Sequence, residues 1–128
     1  MRKEIENWIK QGKEEFDTAE VNFKNNKYFS AAFWCQQSIE KLLKALYILK
    51  KRSSPESTHS LSYLGREVNA PKEFWKFLKD LSAQYYVSRY PDAIEDVPYM
   101  TYTKEEVQDY LNRSKEFIKW LDLQIKKY

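Results

Sequence analysis

Two glycines and four prolines in 128 residues leave this chain few places to turn sharply. Glycine most readily supplies the left-handed backbone of a tight turn, and proline most reliably stops a helix. A chain poor in both is constrained to long elements, and the hydrophobic spacing identifies them as helices. Between 3 and 25, Ile5, Trp8, Ile9, Phe16, Ala19 and Phe23 recur in steps of three, four and seven, the single stripe of an amphipathic helix. Gly12 weakens that helix by about 1 kcal/mol relative to Ala. Its missing side chain also gives another helix room to approach. Asn25-Asn26 ends the pattern.

The stretch 28–51 is apolar around most of its circumference. Tyr28, Phe29, Ala32, Phe33, Ile39, Leu43 and Leu46 lie on one stripe, and Ala31, Trp34, Cys35, Leu42, Ala45 and Leu49 on another. Such a helix is buried on several sides. Only Gln37, Lys41 and Lys44, with Gln36 and Glu40 beside them, form a polar strip. Basic residues and Pro55 end the helix, and 53–58 reads as a polar loop. His59 to Leu64 reads as a short helix or turn closed by Gly65. Pro71 opens another helix as its first residue, with Phe74, Trp75, Phe77, Leu78 and Leu81 as its apolar face. The aromatic stretch 84–102 contains Pro91 and Pro98 and is expected to be a long structured loop. Thr103-Lys104-Glu105-Glu106 is a capping box opening a last helix to about residue 126. The expected class is all-α: an antiparallel, up-and-down bundle of four to five helices.

Several functions are disfavoured by composition. Net charge is +3, too small to argue for nucleic-acid binding by itself. No apolar run approaches the ~20 residues of a membrane span, and the first residues carry mixed charge rather than a signal-peptide pattern. The single cysteine, Cys35, excludes an internal disulfide and fits a reducing, cytoplasmic setting. Its apolar neighbours make it a small buried hydrophobe rather than a nucleophile. One His and one Cys on different elements make no metal site, and two isolated glycines make no phosphate loop. No metal or cofactor is implied.

The best single candidate is Arg89, set among Tyr86, Tyr90 and Pro91. An Arg held by aromatic rings presents its fork to phosphate or carboxylate while stacked. The competing interpretation is an Arg89–Asp92 ion pair that fixes the loop. Gln37, Glu40, Lys41 and Lys44 form a second candidate set, to be weighed against an ordinary solvated helix face. His59 opens a helix beside Ser60 as a cap, a solvated side chain or a functional group.

Three stretches carry a family resemblance. They are Ala31-Ala32-Phe33-Trp34-Cys35-Gln36-Gln37-Ser38-Ile39-Glu40-Lys41-Leu42-Leu43-Lys44-Ala45, then His59-Ser60-Leu61 followed by Leu64, then Ser88-Arg89-Tyr90-Pro91-Asp92. In order and spacing the sequence resembles the HEPN family across nearly its whole length, as one HEPN-like helical domain over 1–128. The resemblance implies a prokaryotic helical bundle that forms a homodimer. It is often encoded beside a minimal nucleotidyltransferase in a two-component or toxin–antitoxin pair. Many members are metal-independent ribonucleases with an Arg, four to six residues, then a His. Counting from Arg89, the His positions hold Ile94, Glu95 and Asp96, and the only His, His59, precedes Arg89. A ribonuclease needs an acid and a base at one phosphate. The resemblance therefore implies a non-catalytic domain that binds a nucleotide or polyphosphate, or serves as the nucleotidyltransferase's partner. Arg89 would contact phosphate, Lys41 and Lys44 would add charge, and Tyr86 or Tyr90 would stack on a base. Alternatives are a ribonuclease toxin using Arg89 and His59, and a dimeric interaction module without ligand.

Overall fold

The structure, a computed structural model, describes residues 2–128. Three long helices dominate it: α1 (Arg2–Lys24), α2 (Tyr28–Lys51) and α7 (Lys104–Ile125). Between the last two lie α3 (Leu61–Glu67), α4 (Trp75–Ser82), α5 (Gln84–Val87) and α6 (Pro91–Ile94). The all-helical bundle expected from the sequence is what is observed.

α1 and α2 form an antiparallel hairpin closed by Asn26, whose φ of 63° lies in the left-handed region that Asn tolerates. Gly12 allows the close approach expected of it. A Cβ there would lie 2.9 Å from the Leu42 side chain and 3.3 Å from the Ser38 carbonyl oxygen. At the same point the Ser38 hydroxyl donates to the Gly12 carbonyl at 2.7 Å. Ion pairs Lys13–Asp122 and Lys115–Glu20 run α7 antiparallel to α1, and therefore in the same direction as α2. The short helices carry the chain back to make that possible.

α2 is the centre of the bundle. Ala31, Ala32, Cys35, Ile39, Leu42, Leu43, Ala45 and Leu46 are all fully buried by the chain's own elements. Burial pushes the Cys35 thiol up to about 12, only partly offset by the Ser114 hydroxyl. The thiol is therefore neutral and enclosed, as a small hydrophobe should be.

Three local expectations need correction. Gly65 does not close α3 but lies inside it, because a Cβ there would meet Leu78 Cδ1 of α4 at 2.6 Å. Pro71 precedes a single 3-10 turn, Lys72–Phe74, and the α-helix begins only at Trp75. The stretch 84–102 is not loop throughout. It contains α5, α6 and a 3-10 turn at Pro98–Met100, each proline standing at the first position of a turn, where its missing N–H costs nothing. The Thr103 cap forms as read, its hydroxyl accepting from the Glu106 N–H at 3.1 Å.

Gly12→Ala sets a gain of about 1 kcal/mol in helix propensity against an overpacking cost of about 1–3 kcal/mol. We expect net destabilisation, read as a lower urea midpoint. An unchanged or raised midpoint would show that Leu42 yields without cost.

Candidate functional site

The position of Arg89 begins with Gln84. This buried side chain donates to the Tyr110 hydroxyl at 3.2 Å and accepts from the Tyr102 hydroxyl, tying α5 to the start of α7. Burial, reinforced by Glu106, pushes Tyr110 up to about 12. Burial also raises Tyr102, so both phenols remain donors at neutral pH.

One turn along from Tyr85, Arg89 donates from Nε to the Tyr85 carbonyl oxygen at 2.8 Å. Its guanidinium carbon lies 4.4 Å from the Phe33 ring centre, 4.5 Å from Tyr85 and 4.8 Å from Tyr90. Three rings at these distances hold a cation by its attraction to their faces. Nη2 is buried and has no hydrogen-bond partner among the described residues. No ion pair joins Arg89 to Asp92 among them either. Asp92 is exposed in the first turn of α6. Aromatic rings, and not a carboxylate, fix this arginine.

The fold brings His59 to the same place. Its ring stacks on Tyr85 with centres 3.6 Å apart and planes 13° from parallel. Imidazole and guanidinium thus share one tyrosine ring, although 29 intervening residues separate them in sequence order. His59 Nδ1 lies 3.0 Å from Glu40 Oε1. Its backbone oxygen accepts from Gln36 Nε2 at 3.0 Å. Ser60 caps α3 by accepting from the Tyr63 N–H at 3.1 Å, which sets the direction in which His59 leaves the loop.

Glu40 is the buried hub behind this pair. One carboxylate oxygen meets His59 and Gln36, and the other accepts from Lys44 Nζ at 3.0 Å. Lys41 pairs with the buried Glu15 at 2.9 Å and donates to Gln37 at 3.2 Å. Gln37 in turn donates to Gln36 at 2.8 Å. The polar strip of α2 is therefore a connected interior network, not a solvated face. Lys41 and Lys44 each have a carboxylate partner, and neither lines the cavities beside Arg89.

Two such cavities open there. One, of about 390 Å³, is lined by Lys27, Phe29, Ser88, Arg89, Pro98 and Tyr99. The other, of about 290 Å³, is lined by Tyr86, Tyr90, Asp92 and Ala93. Tyr86 and Tyr90 are about half exposed, their ring centres 6.2 Å apart. Lys27 is exposed and forms no ion pair among the described residues, so it is the second cation of the larger cavity. Sequence reasoning missed Lys27, Phe33, Tyr85 and Tyr99. The Tyr85–Arg89 spacing of four was a usable signal, since it stacks side chains on one helical face. Phe33, Lys27 and Tyr99 are remote in sequence and offered none. Among the described residues no three His, Cys, Asp or Glu side chains converge as a metal site.

Three long helices with short ones between the last two make this chain an all-helical bundle, and comparison places it in a family. A sequence model of the HEPN domain matches residues 5–125. The chain belongs to the HEPN family. It is similar to TT1696 from Thermus thermophilus, with 25% identity, a TM-score of 0.84, and coverage of 94% of this chain and 97% of that one. It is also similar to ST0689, an archaeal HEPN homologue, with 31% identity, a TM-score of 0.80, and the same two coverages. No curated protein matches the chain significantly.

Removing Glu40 would strand Lys44, His59 and Gln36 around a void. Glu40→Ala is expected to cost about 3–5 kcal/mol in chemical denaturation, as when one partner of a buried pair is deleted. Glu40→Gln, which keeps an acceptor oxygen, should cost less. Equal costs would mean that the carboxylate's charge contributes nothing to the network.

Proposed function

We propose that this HEPN chain acts as a single helical unit over 1–128 that binds a nucleotide or polyphosphate beside Arg89 without catalysing a reaction. In the two-component setting implied by its family, it would be the partner subunit of a minimal nucleotidyltransferase. One observation carries the reading. Arg89 is oriented by three aromatic rings, forms no ion pair among the described residues, and lines a cavity that the cation Lys27 also lines. A guanidinium held in this way pairs readily with phosphate oxygens. Phe29 and Tyr99 in that cavity, or Tyr86 and Tyr90 next to it, supply ring faces for a base. Lys41 and Lys44 would act at a distance, through Glu40 and its grip on His59, rather than as direct phosphate contacts.

A second reading, a metal-independent ribonuclease, is favoured by the meeting of His59 and Arg89 on Tyr85. Glu40 holds one imidazole nitrogen, and a carboxylate in that position orients a His for proton transfer at the other. Homodimerisation belongs to both readings. The apolar circumference of α2 offers a second copy little surface, since the chain itself covers that helix. Support for homodimerisation comes from the exposed rings Tyr86, Tyr90 and Tyr99 that line the Arg89 cavities, with Val97 and Met100 exposed beside Tyr99 in sequence.

Calorimetric titration with ATP, GTP and short single-stranded RNA is expected to show saturable binding that weakens with salt. Arg89→Ala should lose about 1.5–3 kcal/mol, and Arg89→Lys should not restore it, because an ammonium lacks the planar fork. Wild-type affinity in a folded Arg89→Ala protein would make Arg89 purely structural. The same RNA should remain intact with or without chelator. Chelator-resistant cleavage lost in both Arg89→Ala and His59→Ala would select the ribonuclease instead.

Light scattering over a concentration series should report a dimer, and Tyr99→Glu with Met100→Glu should dissociate it. A monomer at every concentration refutes the self-association proposed here.

A further inference from the structure

A second surface has the features of a ligand site and lies outside the Arg89 region. It is a cavity of about 180 Å³ between α3 and α4, lined by Ser62, Arg66, Trp75, Leu78 and Lys79. Leu78 is its floor, pressed against Gly65 where the two helices touch. Trp75 is its wall. This side chain belongs to the apolar face of α4 by sequence, yet it is 44% exposed while Phe77, Leu78 and Leu81 are buried. It is not loose. Its indole N–H donates to the Ala70 carbonyl at 2.9 Å, which fixes the ring's orientation without covering it. A large exposed ring locked in place loses little conformational freedom when something stacks on it.

The charged side chains that line the cavity or lie over the ring are cations. Lys72 Nζ lies 5.8 Å from the Trp75 ring centre. Arg66 and Lys79 are exposed and form no ion pair among the described residues. The acids of α3 and α4 themselves are engaged, Glu67 by Lys51 at 3.8 Å and Asp80 by Lys76 at 2.8 Å, while Glu73 in the turn before Trp75 is exposed and pairs with no cation among the described residues. The lining thus combines a fixed aromatic face, an apolar floor and two cations that no described carboxylate neutralises. The size suits one flat ring system, since a cavity of about 150 Å³ accommodates benzene.

We infer that the α3–α4 cavity is a second binding site, for an aromatic anion of the nucleoside monophosphate class. The base lies on Trp75 and the phosphate between Arg66 and Lys79. The chemistry needs both halves: stacking on indole supplies the ring contact, and the two cations supply charge-assisted contacts to the phosphate. This site is independent of the Arg89 reading and stands if that reading fails.

The test follows the four Trp indole N–H resonances in nitrogen-15 spectra of the full chain, Trp75 being the one lost in Trp75→Phe. AMP should shift the Trp75 resonance saturably, with adenosine and inorganic phosphate each binding about tenfold or more weakly. Arg66→Ala with Lys79→Ala, both at exposed positions, should weaken AMP about tenfold or more. Arg89→Ala should leave the Trp75 response unchanged. A stationary Trp75 resonance at millimolar AMP would overturn the inference. So would an undiminished response in the double variant, or a response that disappears in Arg89→Ala, which would assign it to the other cavity.

Discussion

The structure depends on the distance between α1 and α2. At Gly12 the helices meet so closely that a single methyl group would collide with Leu42. That contact draws Glu15 onto Lys41 and presses the apolar stripe of α1 into the side of α2. With one flank of α2 closed in this way, α7 covers another and α3 and α5 a third, and the helix that carries most of the family motif becomes the interior of the molecule. Its polar residues can then survive only by satisfying one another. A buried carboxylate without partners costs several kcal/mol, so Glu40 must gather Lys44, Gln36 and His59.

That requirement links packing to the site. Because Glu40 takes one nitrogen of His59, the imidazole lies flat on Tyr85, and because Tyr85 is one turn before Arg89, the guanidinium comes to the same ring. Gln84 supplies the other anchor by bridging two phenols at the start of α7. The Arg89 surroundings therefore rest on α2, the 52–60 segment, α5 and α7 at once. A disturbance of the α2 network would reach Arg89 through two side chains, without either touching a ligand.

The molecule also separates its cations into two kinds. Lys41 and Lys44 are neutralised from within and serve the fold. Lys27, Arg66 and Lys79 stand at cavity edges, paired with no acid among the described residues. Net charge, which is only slightly positive, conceals this division, because it counts a lysine paired in the interior and a lysine open to ligand as equal. Where the charge lies, and whether it is already satisfied, decides what it can bind.

The helical bundle was legible in the sequence because it follows from local rules. The scarcity of glycine, the period of Ile5 to Phe23, the near-complete apolar circumference of 28–49 and the Thr103 cap all act within a few residues of themselves. Arg89 was legible as a candidate for the same reason, lying among aromatic neighbours in its own segment. Tyr90, its neighbour in sequence, was legible with it, but its other partners were not. The sequence offered Asp92, three residues away, while the fold chose Phe33 from α2 and Tyr85, with His59 added from a loop. Likewise Lys41 and Lys44 read as part of a polar strip that an ordinary solvated face would explain, whereas the approach of α1 gives Lys41 the carboxylate of Glu15, and Lys44 pairs with the buried Glu40. Periodicity specifies which face of a helix is apolar. Only the packing of distant segments determines whether a polar group on the remaining face meets water, a carboxylate or a ring, because that depends on contacts between residues that local spacing does not relate.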